Sequence, residues 1–452
     1  MAFARVVIAA SLVLSGFGGQ ASAQTAATAT GKKALDLKPL QQQCKAEANP
    51  RKARPGPALD QVKRIVNAAE TEFRLFDGHI IDHTGRIIKF GSVEVESASV
   101  ATERADSRKL ADVPWRRVAR YWELLARYQE ATAGKRDLSK VKIAPDSAIP
   151  SIAVSPPQEL SIDWIVKGFA NELDQPSTSQ DILLLLLVRS IERLGGEVEL
   201  ADPRFKKEFF GNAKPFLKGG NIEHDGKAFK VDIGKLREAL KEAVVRAALS
   251  DVPWSAAFIS GVMQMAGVPV AAFAQDASHI AYISQSLRDS LGLLKEDADR
   301  PLYRACDIYS TRARVGDLVC YTRDPDYVAT NKTAIAANGL FDLVAKSFHT
   351  DGKLPFRITH CDVVVAVEES AAKIITIGGN VNQAVSRRRM NTNPSNGALS
   401  RNQGVGCRAS AERAGPQQRD LVPEGVPDSK CNLNMQSWFT LLQHVDARAI
   451  AN

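Results

Sequence analysis

The chain has 452 residues, of which 44% are hydrophobic and 24% charged, and its formal net charge is +8. This is an ordinary globular composition, and the length suits one large domain or two smaller ones. The basic residues are spread out except for the run 387–389, and no nucleic-acid motif is present, so we expect no nucleic-acid partner. A mild basic excess suits an anionic cell wall or a membrane surface, or serves solubility alone.

The first 23 residues have the pattern of a signal peptide. Arg5 precedes an apolar run over 6–17, and Ala21-Ser22-Ala23 forms a cleavage site of the A-x-A type. The run is too short to span a bilayer. We therefore predict cleavage after Ala23 and a periplasmic or secreted protein with no transmembrane segment after signal removal.

Cysteine usage is consistent with export, because an oxidising compartment permits disulfides. Six cysteines allow about 15 complete pairings, so their number alone does not fix the connectivity. No C-x-x-C pair or Cys/His cluster indicates zinc, and no phosphate loop or calcium loop is present, so we expect no metal and no cofactor. The cysteines are Cys44, Cys306, Cys320, Cys361, Cys407 and Cys431.

Composition and periodicity divide the rest of the chain. Residues 24–58 are rich in Ala, Thr, Lys, Gln and Pro, which predicts a flexible leader. Amphipathic helices are predicted from residue 59 and around Trp115. A proline-rich strip then opens 134–235, which we interpret as a mostly helical insertion with a hairpin at 222–231. The main domain is accordingly discontinuous, formed by 59–133 plus 236–452.

The stretch 251–267 predicts a buried helix around which the chain is organised. Apolar residues recur there at helical spacing, Pro253 suits a first helical turn, and Gly267 is a stop signal. Ser255 therefore lies in the first turn, where free N–H groups and the positive end of the helix dipole stabilise negative charge.

Three strands are predicted after this helix, at 315–321, 359–368 and 373–377, and the last of them leads into Gly378-Gly379-Asn380. A long polar loop is predicted over 386–430, and a final strand over 438–445. The segment 273–283, which contains His279, follows the buried helix.

These motifs, taken in order, resemble the CHAP and NlpC-type cell-wall peptidases, which are papain-like. The resemblance rests on the motifs Trp-Ser-Ala-Ala-Phe, Gly-Asp-Leu-Val, His-Cys-Asp-Val-Val and Gly-Gly-Asn. It covers roughly 60–127 and 245–385 plus the last strand. The Trp-Ser-Ala-Ala-Phe-Ile-Ser form resembles more closely a group of secreted bacterial proteins classed as a domain of unknown function. Ser255 stands where the peptidases have their catalytic Cys.

The resemblance implies an α+β fold, namely a papain-like core of helices packed on a small antiparallel sheet. It places Cys320 and Cys361 on neighbouring strands, so we expect a disulfide between them. A bond between Cys407 and Cys431 is a further candidate that would staple the long loop.

The resemblance also implies a catalytic trio of Ser255, His360 and Asn380, acting as nucleophile, general base and orienting residue. Each has a plainer interpretation: Ser255 as a helix cap, His360 as a structural histidine, Asn380 as a turn residue. His279 is a second candidate base, or else a packed or capping histidine. Asp362 lies on the same strand face as His360, where it orients a base, accepts a proton, or is simply a solvated charge.

The first functional hypothesis is an exported hydrolase of amide or peptide bonds that acts on peptidoglycan or another cell-envelope substrate. The alternative is a catalytically inactive module on the same scaffold that binds a cell-wall peptide or glycan. A third hypothesis is an envelope assembly protein that works through the 134–235 insertion. The sequence does not determine the oligomeric state.

Overall fold

The computed structural model describes part of the chain. The predicted signal peptide, nearly all of the insertion and the expected Cys407–Cys431 pair lie outside the described residues. For the hairpin at 221–230 only the backbone of the strands is described. The described residues are 35–49, 54–94, 114–135, 138, 141, 221–224, 227–230, 252–294, 301–403 and 432–446.

Helices and strands both contribute to this part of the chain, which confirms the predicted α+β class. No helix within it is long and apolar enough to cross a membrane. The helices are α1 (Lys38–Glu47), α2 (Gly56–Phe76), α3 (Pro114–Thr132), α4 (Ser255–Met265), α5 (Ile280–Ser290), α6 (Pro325–Thr330), α7 (Lys332–Asn338) and α8 (Leu340–Asp351).

The strands form a larger sheet than the sequence predicts. Eight of them pair in the order β2-β1-β9-β8-β7-β6-β10-β5, and all neighbours are antiparallel except the parallel pair β1 and β9. The expected small antiparallel sheet is larger because β5 and the β1–β2 hairpin extend its two edges, and it is mixed because β1 runs parallel to β9. Strand β9 also occupies the start of the stretch 386–430, where the sequence predicts a long loop. β3 and β4 pair separately. The strands are β1 (His79–Ile81), β2 (Ile87–Lys89), β3 (Asn221–His224), β4 (Lys227–Lys230), β5 (Tyr303–Asp307), β6 (Leu318–Thr322), β7 (Thr359–Glu368), β8 (Lys373–Val381), β9 (Ala384–Asn391) and β10 (Ser437–His444).

Helix α4 is the buried helix that the sequence predicts, and it begins at Ser255. It packs against α2 and α3 on one side and against β7 and β8 on the other. Phe258, Ile259 and Val262 are fully buried. Burial of side chains of this size stabilises a fold by about 1.5–3 kcal/mol each, so α4 belongs to the hydrophobic core.

Helices α2 and α3 are joined by a buried ion pair. Arg117 Nε donates to Glu72 Oε2 over 2.9 Å, and the Tyr121 hydroxyl donates to the same oxygen over 2.7 Å. Burial and the Glu72 carboxylate raise the pKa of Tyr121 well above its usual value. The two helices are thereby fixed as one layer against which α4 packs.

Helix α1 differs from the flexible leader expected over 24–58. Its Leu40 and Cys44 are buried, and a disulfide joins Cys44 to Cys306 on β5. Gln443 of β10 also donates to the Cys44 carbonyl over 3.0 Å. A polar segment is ordered here because a covalent bond and a short buried face hold it on the sheet.

The predicted disulfide between Cys320 and Cys361 is confirmed. The two residues lie directly opposite each other on β6 and β7, with their Cα atoms 4.1 Å apart. The Cys44–Cys306 disulfide was left open by the sequence, because 262 residues separate its ends and composition alone does not show that they meet.

The two disulfides differ in the loops they close, 262 residues against 41. Cross-linking restricts the unfolded chain more for a longer loop, so each bond is expected to add about 2–4 kcal/mol to the free energy of unfolding. The double variant Cys44→Ala/Cys306→Ala should lose roughly 1–2 kcal/mol more than Cys320→Ala/Cys361→Ala. Urea denaturation measures both values. Equal stability of wild type and the first variant would contradict this expectation.

Candidate functional site

Ser255 occupies the first position of α4 and does not cap it. The N-cap residue is Trp254, and no side chain caps the helix. The Ser255 hydroxyl instead forms a hydrogen bond with His279 Nε2 over 2.8 Å. The first intrahelical bond runs from the Phe258 N–H to the Trp254 carbonyl, so the amides of the first turn precede the hydrogen-bonded part of the helix.

Trp254 fixes the start of α4. Its ring is fully buried and lies between Phe76 and Tyr121, with centroids 5.7 and 5.8 Å away. Its indole N–H donates to the Glu94 carboxylate. Gly379 of β8 comes so close that a Cβ there would lie 2.8 Å from the Trp254 ring. The second glycine of the Gly-Gly-Asn motif thus lets the sheet touch the end of the helix that carries Ser255.

His279 is held between two hydroxyl groups. It is the N-cap residue of α5, but its side chain does not cap that helix. Nε2 faces Ser255, and Nδ1 forms a hydrogen bond with the Tyr282 hydroxyl one turn further on. Tyr282 is itself fixed by stacking on Phe273 at 4.7 Å. When Nδ1 donates to the phenol oxygen, the Nε2 lone pair accepts the Ser255 proton, which is the geometry of a nucleophile and its general base.

Burial sets the protonation state of this pair. It is the main cause that lowers the pKa of His279 well below 6.5, and His360 and Arg323 lower the pKa further. Burial also raises the pKa of Tyr282 well above 10.0. At neutral pH the imidazole is therefore neutral and able to accept a proton, while the phenol keeps its own.

His360 lies fully buried on β7, and its two ring nitrogens have defined partners. Nε2 lies 2.9 Å from Asp362 Oδ1, and Nδ1 lies 3.0 Å from Arg323 Nη2. Because arginine only donates, Nδ1 must accept, and the ring proton is on Nε2 and points at Asp362. Burial and Arg323 lower the pKa of His360 to about 4, although Asp362 opposes the shift.

Asp362 is charged and pairs with an equally buried cation. Arg388 Nε on β9 lies 3.3 Å from Asp362 Oδ2. Burial by itself would raise the pKa of Asp362, but Arg388 and His360 outweigh it and hold the pKa below its usual value. The interpretation of Asp362 as a solvated charge is therefore wrong, because the carboxylate is fully buried.

The structure brings four of the five residues singled out in the sequence into one cluster. The rings of His279 and His360 lie 5.2 Å apart between centroids, which links the Ser255–His279 pair to the His360–Asp362 pair. The difference from the expected trio is that Ser255 is hydrogen-bonded to His279 and not to His360.

Asn380 is the fifth residue, and its placement fits that of a turn residue. Its φ of 52° lies in the left-handed region, which asparagine tolerates better than most residues, and a register shift of the β8–β9 pair falls there. Its side chain makes no hydrogen bond within the described part of the chain. Asp362 is the residue that orients His360 in this structure.

Three residues of the site were not singled out in the sequence: Tyr282, Arg323 and Arg388. Tyr282 had a signal, its spacing of three residues from His279, which puts both side chains on one helix face. Arg388 was hidden in the run 387–389, where it looks like one of three surface charges. Strand alternation could have separated it from its neighbours, since the middle residue of three points to the opposite face.

Gly378 makes room for the buried carboxylate. A Cβ at this position would lie 1.8 Å from Asp362 Oδ1, whereas a Cβ at Gly56 would meet no atom within 4 Å. We expect Gly378→Ala to lower the free energy of unfolding by about 1–3 kcal/mol, since overpacking forces Asp362 to move. Gly56→Ala, the control, should stay within about 0.5 kcal/mol of wild type. Equal urea midpoints for the two variants would show that the site tolerates the added methyl group.

Buried neutral histidines predict a loss of stability in acid. Burial is the first cause that lowers the pKa of His279, His360 and His444. In the unfolded chain their pKa values are near the usual 6.5, so the unfolded state binds more protons than the folded state once the pH falls below about 6.5. For His360 this difference extends down to about pH 4. The free energy of unfolding should have its full value above about pH 6.5. Below that pH it should fall by up to about 1.4 kcal/mol per pH unit for each histidine.

Urea denaturation at a series of pH values tests this expectation. His83→Gln is the control, because it removes an exposed imidazole and leaves the three buried ones in place. A free energy of unfolding that stays constant between pH 7 and about pH 4.5 would contradict the assignment of neutral buried imidazoles.

Comparison with known proteins identifies one family. Residues 222–444 match the family DUF2272, described as an uncharacterized protein conserved in bacteria. No curated protein and no solved structure matches the chain. The matched segment contains Ser255, His279, His360 and Asp362, so the residues of the site lie in a region similar to the uncharacterised bacterial family DUF2272.

Proposed function

We propose that this protein is a serine-type hydrolase of amide or peptide bonds, with Ser255 as nucleophile and His279 as general base. The observation that carries the proposal is the 2.8 Å hydrogen bond between Ser255 Oγ and His279 Nε2 at the N-terminus of a buried helix. A serine hydroxyl is a weak nucleophile unless a neutral base takes its proton during attack. The lowered pKa of His279 keeps such a base available at neutral pH.

The proposed reaction begins when Ser255 Oγ attacks the carbonyl carbon and its proton passes to His279 Nε2. The negative charge on the carbonyl oxygen is stabilised by the amide N–H groups of Ala256 and Ala257 and by the helix dipole. His279 then gives the proton to the leaving amine as the C–N bond breaks. A water molecule, activated by the same imidazole, hydrolyses the acyl-enzyme and restores Ser255.

Tyr282 and the His360–Asp362 pair complete the proposed site. The Tyr282 oxygen accepts from Nδ1 and thereby holds His279 in the tautomer that leaves Nε2 free for the serine proton. His360 is not assigned as the base, because in this structure both of its ring nitrogens are bonded to other residues. It forms the wall beside His279 and is held there by Asp362.

The proposed substrate class is peptidoglycan peptide or another cell-envelope amide. The resemblance to the CHAP and NlpC-type peptidases supports this class, and the predicted export of the protein is consistent with such substrates. A papain-like core with Ser255 in place of the peptidase cysteine is part of the same proposal. Fold and function are separable, so the reaction is argued from the side chains of the site.

A second candidate function, binding of a cell-wall peptide or glycan without turnover, is favoured by one observation. Ser255 is 5% exposed, His279 3% and His360 0%. A nucleophile must contact its substrate, so such deep burial favours a protein that binds a ligand without cleaving it.

Labelling with a fluorophosphonate probe distinguishes the two functions. We expect the mature protein to gain one covalent adduct at Ser255, and we expect Ser255→Ala and His279→Ala to lose it. Ser260→Ala is the matched control, because Ser260 lies on the same helix and is buried, but bonds to the Asp276 backbone instead of a histidine. Intact-mass spectrometry and peptide mapping measure the adduct.

The pH dependence of labelling adds a second readout. Since the pKa of His279 lies well below 6.5, the labelling rate should be constant from about pH 8 to pH 6.5 and decline only in more acidic solution. An unlabelled wild type that nevertheless binds cell-wall fragments would favour the binding module over the hydrolase.

A further inference from the structure

Arg323 lies on the exposed side of the site, where its guanidinium donates hydrogen bonds to an imidazole and a phenol. It follows β6 directly and is exposed, unlike His360 and Tyr321 beneath it. Its Nη2 donates to His360 Nδ1 over 3.0 Å and to the Tyr321 hydroxyl over 3.1 Å. The guanidinium carbon also lies 5.5 Å from the centre of the Tyr321 ring.

No carboxylate within the described residues lies within 4.0 Å of this guanidinium. Two other arginines have one: Arg388 pairs with Asp362 at 3.3 Å, and Arg314 pairs with Asp446 at 3.0 Å. An imidazole and a phenol satisfy hydrogen bonds but do not neutralise a charge. Arg323 therefore brings a permanently charged fork, with no carboxylate of the described residues in contact with it, to the edge of the Ser255–His279 cluster.

The backbone around Arg323 is fixed, so only its side chain is free to change partners. The Arg323 N–H donates to the Ile358 carbonyl over 2.8 Å. The next residue, Asp324, caps helix α6 by accepting from the Tyr327 N–H over 3.0 Å. A ligand that draws the guanidinium outward would leave the strand and the helix in place.

We infer that Arg323 binds a carboxylate of the peptide that enters the Ser255 site. The inference rests on the proposed function for the identity of the site and adds the substrate class: a peptide with a free carboxylate close to the bond that is cleaved. A guanidinium matches a carboxylate with two parallel N–H···O bonds, which its present neutral partners do not offer. When the carboxylate takes these donors, His360 Nδ1 loses its donor, so ligand binding and the hydrogen bonding of His360 are coupled.

The test measures binding and does not need turnover. N-acetylalanine and N-acetylalaninamide, which differ in the free carboxylate, are titrated against Ser255→Ala protein, and the imidazole resonances of His360 are followed by NMR. We expect the acid to bind at least about tenfold more tightly than the amide, since hydrogen bonds to charged groups are the stronger ones. We expect the acid to shift the His360 resonances and the amide to leave them unchanged.

Two arginine variants assign the effect to the residue. Arg323→Gln should abolish the preference for the acid. It should also raise the pKa of His360, because Arg323 is one of the groups that lower it. Arg401→Gln is the matched control: Arg401 is another exposed arginine over a tyrosine ring, 4.1 Å from the centre of Tyr309, and its loss should leave the preference intact. Thermal unfolding checks that both variants fold.

Equal affinity for the two probes, response to neither, or an acid preference that survives Arg323→Gln overturns the inference. These outcomes are separate from a failure of the proposed hydrolase. Labelling of Ser255 with no acid preference would remove the role of Arg323 alone. An acid preference in a protein that the fluorophosphonate does not label would support the anion site at Arg323 and contradict the proposed hydrolysis.

Discussion

The buried ion pair between Asp362 and Arg388 is the contact on which the rest of the site depends. Both side chains are taken out of water, and each is stabilised chiefly by the other. Removing one partner of such a pair is costly, about 3–5 kcal/mol, because a lone charge stays buried. The pair also joins β7 to β9 across β8, where Gly378 leaves room for the carboxylate.

A chain of single contacts leads from Asp362 outward to Ser255. The carboxylate fixes the tautomer of His360, and His360 forms one wall for His279. Tyr282 holds the far side of His279, so that its remaining nitrogen meets Ser255. The sheet supplies the buried charge, whereas α4 and α5 supply the proposed nucleophile and the proposed base. In this low-dielectric setting each hydrogen bond is stronger than it would be in water.

The arrangement differs from the trio that the papain-like resemblance implies in the histidine that Ser255 contacts, which is His279 and not His360. A cysteine can rest as a thiolate beside a protonated histidine, but a serine needs a neutral base that accepts the proton during attack. His279, uncharged because it is buried, meets that requirement in the structure. His360 keeps the strand position that the resemblance assigns to a base, yet its nitrogens are committed to Asp362 and Arg323.

The sequence by itself determined the α+β class and helix α4 with Ser255 in its first turn, and it named five candidate residues for the site. It also predicted strands at 315–321, 359–368, 373–377 and 438–445, close to where β6, β7, β8 and β10 lie. The helix and the strands follow from local periodicity and turn signals. The resemblance, and not a local pattern, pointed to the Cys320–Cys361 bond and to the trio of Ser255, His360 and Asn380. Only the tertiary structure decided that α1 is tied to β5, that the sheet is mixed, and that Ser255 meets His279. Those outcomes depend on contacts between residues far apart in the chain and on which charges lose their water, and neither is encoded in a local pattern.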